Sequence, residues 1–226
     1  FCCAVPGAWH VMGVTQGAGL SLKWFRDNFC QAEKDTAAGM GVDPYVLMDQ
    51  EAAQSPIGCN RLLYLPYLMG ERTPHLDPDC RGVFFGLSAM HTKRDLLRAV
   101  MEGVTYSQRD SVEILRGMGV ELSEMLACGG GGTSPLWRQM LADTYNCPVK
   151  TVQSKEGPAL GVAILAGVGV GLYPSVQEAC QAMIQVNQPQ EPIPENVPQY
   201  QAFYQVYKSL YPALKENYKL LAATGA

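Results

Sequence analysis

The stretch Leu126–Trp137, LACGGGGTSPLW, decides the fold class. Four consecutive glycines, Gly129–Gly132, follow a short apolar run. Glycine loses more backbone freedom on folding than any other residue, so the run predicts either a plain strand-to-helix turn or a surface where a ligand meets bare backbone. Ser134 and Pro135 suit the N-cap and first position of a helix. Strand, glycine turn and helix N-terminus together present free backbone N–H groups to an anion or a sugar edge.

Strand-like and helical segments alternate around this turn, which predicts an α/β fold with parallel pairing in the second half of the chain. We expect four segments to share one sheet, namely WHVMGV (9–14), GVFFG (82–86), EMLACG (124–129) and CPVKTV (147–152). A further strand or extended run is predicted in RLLYLPYL (61–68).

A long core helix is predicted after Thr92, because Thr92 and Asp95 have capping-box spacing and the apolar residues that follow have helical spacing. The stretch Gly157–Pro174 is too short and too rich in glycine and alanine to span a membrane, so it predicts a tightly packed core helix. The last helix is predicted to bury one row of side chains: Phe203, Val206, Tyr207, Leu210 and Leu214.

Composition excludes several classes of protein. The chain has 226 residues, is 47% hydrophobic and 17% charged, and has a net charge of −4. It is therefore expected to be globular, with no general electrostatic reason to bind nucleic acid or an anionic membrane. Its eight cysteines form no C-x-x-C pair, which favours reduced thiols in the cytoplasm. No structural metal is expected, since none of the three histidines has metal-ligand spacing from another ligand.

The best-known phosphate-binding motifs do not account for the glycines. The P-loop pattern G-x-x-x-x-G-K-[ST] occurs nowhere in the chain. The dinucleotide pattern G-x-G-x-x-G fails as well, because its last position falls on Ser134 or Pro135. A P-loop NTPase and a standard Rossmann dehydrogenase are excluded, and a nucleotide site of another architecture is left.

Several stretches resemble the FGGY family of carbohydrate kinases. GVFFGLSAMHTKRDLLRAVME (82–102) is similar to the second signature of that family. LPYLMGERTPHLDPDCRG (65–82) and GGGGTSPLWRQMLAD (129–143) resemble the xylulokinase branch, which usually has Ala at the place of Gly132. AVPGAWHVMGVTQGAGLSLKWFRD (4–27) agrees as well, so the resemblance covers nearly the whole chain.

The resemblance implies an actin-like ATPase (ribonuclease H-like) domain, with a mixed sheet and helices on both faces. It places residues 1–226 in the C-terminal nucleotide-binding domain of a sugar kinase whose N-terminal domain, with most of the sugar contacts, is absent. The catalytic aspartate and a Gly-Thr-Ser-Gly phosphate turn are expected before Phe1. The chain alone is therefore expected to be inactive, and a homodimer is expected as one possible assembly.

The function implied for the complete enzyme is phosphorylation of D-xylulose to D-xylulose 5-phosphate with ATP and Mg²⁺. Two alternatives are left open. One is a kinase for another sugar or polyol, because specificity lies largely in the absent domain. The other, different in class, is a non-catalytic actin-like domain that binds a nucleotide or a partner.

The resemblance also implies the site residues. The adenosine turn of the family maps onto Gly130, Gly131 and Gly132, with Ser134 and Pro135 at the start of the helix beneath the purine. A second nucleotide-contacting pair maps onto two residues, Gly19 and Lys23. Related glycerol kinases have Gln at the second of these positions, so Lys23 is equally consistent with a solvated helix residue.

Two further expectations concern the charged loop and the tryptophans. Glu71, Arg72, Asp77 and Arg81 are expected to brace the domain as an ion-paired loop. Trp9, Trp24 and Trp137 are expected in the core or a pocket wall.

Overall fold

The computed structural model describes residues 1–154 and 157–225. Its helices and strands, in chain order, are α1 (Ala18–Phe29), α2 (Gln31–Met40), α3 (Pro44–Ala52), β1 (Leu63–Leu65), β2 (Val83–Phe85), α4 (Lys93–Gly117), β3 (Met125–Leu126), α5 (Gly130–Thr133), α6 (Pro135–Tyr145), β4 (Val149–Lys150), α7 (Gly157–Gly169), α8 (Val176–Met183) and α9 (Val197–Ala223).

Helix α4 is the centre of the core and forms as its sequence predicts. Its N-terminus has the expected capping box, in which the Thr92 backbone N–H donates to Asp95 Oδ2 at 2.8 Å. The buried β1 packs against α4, and so do α1, α3 and α6. A buried ion pair lies on the same helix, with Arg98 Nε 2.8 Å from Glu102 Oε1. The pair also bonds other segments, since Arg98 donates to the Ser55 carbonyl and the Tyr200 hydroxyl, so apolar packing and satisfied buried charge together hold them to α4.

Helix α9 covers the core with tyrosines. Its buried residues are Tyr200, Tyr204, Tyr207, Leu210, Tyr211 and Tyr218. The prediction of Tyr207 and Leu210 is confirmed, but that of Val206 is wrong, since its side chain is exposed. A tyrosine can pack its ring against the core while its hydroxyl forms a hydrogen bond. Tyr204 Oη, for example, donates to Asp110 Oδ1 at 2.7 Å.

The strands form two separate pairs, so the expectation of one sheet through four segments is wrong. β1 and β2 pair antiparallel, whereas β3 and β4 pair parallel as the alternation predicts. Residues 9–14 form no strand. Val14 bonds the side chain and backbone of Thr73 in a loop, and Trp9 makes only an isolated bridge to Cys2. A strand needs ladder hydrogen bonds that continue over several residues, and in the described residues this segment has, apart from the Val14 bonds, only the Trp9–Cys2 bridge and the two bonds between His10 and Phe1 beside it.

Helix α7 forms as predicted, but the expectation that it is tightly packed is wrong. Only Ile164 and Gly167 of its thirteen residues are buried. It packs against α8, which the sequence did not predict, while apolar side chains such as Val162 are exposed. Within residues 1–154 and 157–225, no helix combines the length and the apolar character that crossing a membrane requires.

Candidate functional site

The glycine turn has the predicted order of strand, turn and helix. β3 ends at Leu126, and Gly129 turns the chain with a φ of +75°, a region that favours glycine. One helical turn, α5, follows before α6 begins. Ser134 is the N-cap of α6: its Oγ accepts the backbone N–H of Trp137 at 3.0 Å, and Pro135 is the first helical residue. The start of α6 is therefore fixed by its own sequence.

The three predicted adenosine-turn glycines differ in what surrounds them. A Cβ at Gly130 would meet nothing within 4 Å. A Cβ at Gly131 would lie 3.2 Å from Cε3 of the Trp137 ring, and one at Gly132 would lie 2.8 Å from the Ala127 carbonyl oxygen. Gly132 is thus required by close backbone packing. Gly130 instead leaves backbone open towards a cavity that it helps to line.

The cavity lies between the glycine turn and the first turn of α1. Its volume is about 570 Å³, within the roughly 300–1,000 Å³ typical of small-molecule sites. Ala18 and Gly19 line one side and residues 129–132 line the other, so two stretches more than a hundred positions apart meet here. Of the described residues that line it, none is charged, which suits a neutral nucleoside better than its phosphates.

Helix α4 supplies much of the remaining lining, which sequence reasoning missed. The lining residues from α4 are Val104, Gln108, Ser111, Val112 and Leu115. Ser111 Oγ is buried without a hydrogen-bond partner in the described part of the chain, so it is a free polar atom between two cavities. The sequence does contain a signal for this lining. Val104, Gln108, Ser111 and Leu115 lie on one face of α4, and two of these four residues are polar on a face that is otherwise apolar.

The tryptophans have different places. Trp137 lies under the glycine turn, only 6% exposed, and lines the cavity as predicted. Trp24 is half-buried against the core. The prediction for Trp9 is wrong: its side chain is 73% exposed, in a segment whose only bridge among the described residues joins it to Cys2.

Three of the predicted site residues lie outside the lining. Lys23 is exposed on α1, one turn beyond Gly19. Ser134 is buried, and its oxygen is engaged by the helix cap. Pro135 is exposed beside it at the start of α6. The structure therefore brings Gly19, Gly130, Gly131 and Gly132 to one cavity and leaves these three at its periphery.

The charged loop 70–82 braces the domain by hydrogen bonds, and the prediction of ion pairs in it is wrong. The described residues contain no salt bridge that involves Glu71, Arg72, Asp77 or Arg81. Glu71 and Asp77 are buried and accept backbone N–H and hydroxyl groups. Arg81 donates to the carbonyl oxygens of Pro78 and Cys80. Neutral donors satisfy these carboxylates without a second buried charge.

The described residues form neither a metal-binding cluster nor a disulfide. The described residues hold no group of three His, Cys, Asp or Glu side chains placed to bind a metal ion. All eight cysteines are described, and each is a free thiol. Burial raises the pKa of Cys30 to about 11, so that thiol stays protonated and unreactive near neutral pH.

Comparison with known proteins identifies the family. The family model for the FGGY family of carbohydrate kinases, C-terminal domain, matches residues 3–170. The chain belongs to this family. A xylulose kinase of Staphylococcus epidermidis (strain ATCC 12228 / FDA PCI 1200) is 41% identical over 213 residues, which are 94% of this chain and 41% of that protein. A gluconokinase of Bacillus subtilis (strain 168) is 33% identical over 224 residues, 98% of this chain and 44% of that protein. The FGGY chain thus spans about two fifths of the length of such relatives.

Solved structures confirm the fold class. The xylulose kinase from Lactobacillus acidophilus, a ligand-bound structure, matches with a TM-score of 0.79 and 28% identity over 92% of this chain and 40% of its own. A kinase from Brucella ovis matches with a TM-score of 0.80 and 31% identity, over 96% of this chain and 42% of its own. Plasmodium falciparum glycerol kinase with ADP, at 20% identity and a TM-score of 0.70 over 88% of this chain and 38% of its own, shows the fold alone. The domain has the actin-like ATPase fold of these sugar kinases.

Proposed function

We propose that the described residues form the adenosine-binding half of the nucleotide site of an ATP-dependent sugar kinase. The observation that carries this is the uncharged cavity in which the first turn of α1 faces the glycine turn. Gly19, Gly130 and Gly131 would contact the ribose and purine through bare backbone, and Gly132 would keep the turn against β3. Ser134 and Pro135 would act by fixing the helix beneath. Lys23 belongs to the proposal on the family resemblance alone.

In the whole enzyme, we infer, the reaction is transfer of a phosphoryl group to the primary hydroxyl of D-xylulose, giving D-xylulose 5-phosphate. ATP supplies the phosphoryl group and Mg²⁺ offsets its charge, so the protein contributes mainly positioning and electrostatic stabilisation. The aspartate that takes the hydroxyl proton is assigned to the sequence upstream of Phe1, and the N-terminal domain would be the partner of this one. The xylulose kinase relatives support this substrate, and the free thiols support a cytoplasmic location.

A second candidate is a kinase for another sugar or a sugar acid. The gluconokinase relative, 33% identical over 98% of this chain, favours it. Both enzymes would share the nucleotide that the cavity suits, so the sugar substrate is what distinguishes them. Assaying the whole enzyme with D-xylulose and with gluconate separates them directly.

Calorimetric titration of the 226-residue chain with AMP, ADP and ATP tests the proposal. We expect weak binding that is nearly independent of the number of phosphates, because the cavity offers backbone and apolar contacts and no charged side chain among its described lining residues. We also expect no phosphorylation of xylulose by this chain. Affinity that rises steeply from AMP to ATP, or measurable turnover, would contradict the assignment.

In the whole kinase, Gly131→Val provides a second test. The added side chain would meet the Trp137 ring beside the cavity that Gly131 lines. We expect the KM for ATP to rise far more than the KM for sugar. Equal effects on both substrates, or none on ATP, would place the nucleotide elsewhere.

A further inference from the structure

The segment before α1, residues 13–17, is held against the charged loop. Val14 and Thr73 exchange two hydrogen bonds: the Val14 N–H donates to Thr73 Oγ1 at 3.1 Å, and the Thr73 N–H donates to the Val14 carbonyl at 2.9 Å. A Cβ at Gly17 would lie 1.8 Å from the Pro66 carbonyl oxygen, so backbone meets backbone at that point. The segment is therefore fixed at both ends.

Between those two points, the Glu71 carboxylate holds the segment. Its Oε1 accepts the Gln16 N–H at 2.9 Å and the Arg72 N–H at 2.7 Å, and its Oε2 accepts the Ser107 hydroxyl at 3.2 Å. The side chain is buried, and burial raises its pKa. Hydrogen bonds to a buried carboxylate are stronger than neutral ones. Its negative charge also lies just before a helix N-terminus, where the helix dipole favours an anion.

The residues that this anchor fixes belong to the cavity. Thr15 lies between the two bonded residues Val14 and Gln16 and lines the cavity, as do Ala18 and Gly19 directly afterwards. The N-cap position of α1, Gly17, offers no side-chain cap. The position of the first turn of α1 thus depends on the bonds to Glu71 and Thr73, which lie outside the cavity lining.

We propose that Glu71 and Thr73 are positioning residues for the nucleotide: they hold the first turn of α1 at the distance from the glycine turn that a nucleoside requires. This rests on the proposed function. The charged loop, which the sequence suggested only as a brace, would then set the width of the nucleotide cavity.

Two disruptive variants and one conservative variant test this proposal. Glu71→Gln keeps the shape but removes the charge and replaces one accepting oxygen by an amide nitrogen. Thr73→Val removes the hydroxyl that Val14 bonds, whereas Thr73→Ser keeps it. We expect the first two to weaken AMP binding by roughly 3- to 10-fold, the effect of one or two hydrogen bonds, and Thr73→Ser to change it by less than about twofold. Amide exchange over residues 13–19 should become faster in the first two variants only.

The matched control is Asp77→Asn, a second buried carboxylate of the same loop. Asp77 accepts from the Tyr211 hydroxyl and the Asp79 N–H, away from residues 13–17. Loss of the Asp77 carboxylate should lower the melting temperature, while the AMP affinity should stay within about twofold of the wild-type value. If Glu71→Gln and Asp77→Asn weaken AMP binding equally in fully folded samples, or if Glu71→Gln leaves the affinity unchanged, the positioning role is wrong. A wild-type chain that binds none of the three nucleotides instead contradicts the proposed function, and this proposal with it.

Discussion

The indole Nε1 of Trp137 donates a 2.9 Å hydrogen bond to Thr105 Oγ1, and this bond joins the floor of the glycine turn to the central helix. The Thr105 hydroxyl in turn donates a hydrogen bond to the Met101 carbonyl oxygen at 2.9 Å. Both side chains are buried, and the ring of Trp137 is the nearest neighbour of a Cβ built at Gly131. The glycine turn is therefore supported by a chain of polar contacts as well as by apolar packing.

Replacing Thr105 by Val should show how much the Trp137–Thr105 hydrogen bond contributes to stability. Valine has nearly the same shape, but it leaves the buried indole N–H without an acceptor, at a cost of about 1–3 kcal/mol. The free energy of unfolding, measured by urea denaturation, should fall by that amount. Thr105→Ser keeps the oxygen and should recover most of the loss. A loss in Thr105→Ser with none in Thr105→Val would mean that the methyl group, and not the hydrogen bond, matters.

Gly130 and Gly132 should respond in opposite ways to the same small change. Gly132→Ala puts a Cβ 2.8 Å from a backbone oxygen, so stability should fall by about 1–3 kcal/mol. Gly130→Ala meets nothing within 4 Å, and in helical α5 alanine is favoured over glycine by about 1 kcal/mol. Its stability should hold or rise slightly while AMP affinity falls, since the methyl group enters the cavity. Unfolding curves and titrations of both variants measure this, and an undiminished AMP affinity in Gly130→Ala would remove Gly130 from the site.

The features predicted correctly depend on local chemistry. The glycine turn, the cap at Ser134 and the capping box after Thr92 are each specified by residues a few positions apart. Predicting the cavity requires tertiary information as well, because Gly19 and Gly130 meet only through the packing of α1, α4 and α6 around them. Family resemblance suggested that pair, whereas the Ser111 and Gln108 lining was missed because the polar positions in that helical row do not by themselves say what the row faces.

The features predicted wrongly depend on what lies beside a segment. Residues 9–14 have the composition of a strand, but a strand needs a partner along its length. Here Trp9 makes one isolated bridge to Cys2, and Val14 bonds a loop. Helix α7 has the composition of a buried helix, but composition cannot say what covers it. The charged loop was expected to pair its own charges, whereas Glu71 is satisfied by backbone N–H groups, including that of distant Gln16.

The pH dependence of stability should show two opposing groups near α9. Burial raises the pKa of Asp110 to about 6, although Tyr204 donates to it. Its folded pKa exceeds its unfolded value, so its ionisation destabilises the fold as pH rises from about 4 to about 7. Burial lowers the pKa of His75 to about 4. The unfolded chain then binds the proton more readily, so His75 costs stability as pH falls through the same range.

Asp110→Asn should separate these two contributions. The variant should be more stable than the wild type at about pH 7.5, by on the order of 2 kcal/mol, and this advantage should vanish near pH 4.5. His75→Gln should show the reverse, with its advantage confined to low pH. Urea denaturation across this range measures both differences. A difference between Asp110→Asn and wild type that does not change with pH would mean that Asp110 keeps an ordinary pKa in the folded protein.

Helix α7 should make the 226-residue chain self-associate. Its thirteen residues, GPALGVAILAGVG, include no charged side chain, and Val162 is 67% exposed. Contiguous exposed apolar surface of this kind favours association with another apolar surface, and a second copy is the partner present in a purified sample. Sedimentation velocity should therefore show a mass that increases with concentration.

A charge on α7 should suppress that association. Val162→Lys places a cation in the exposed apolar surface, so the chain should shift towards monomer without loss of helix, since lysine is a better helix former than valine. Gln177→Lys is the matched control, because it adds the same charge to an exposed position of the neighbouring α8. If both variants reduce association equally, net charge is responsible and the surface of α7 is not. If neither does, the contact lies elsewhere on the domain.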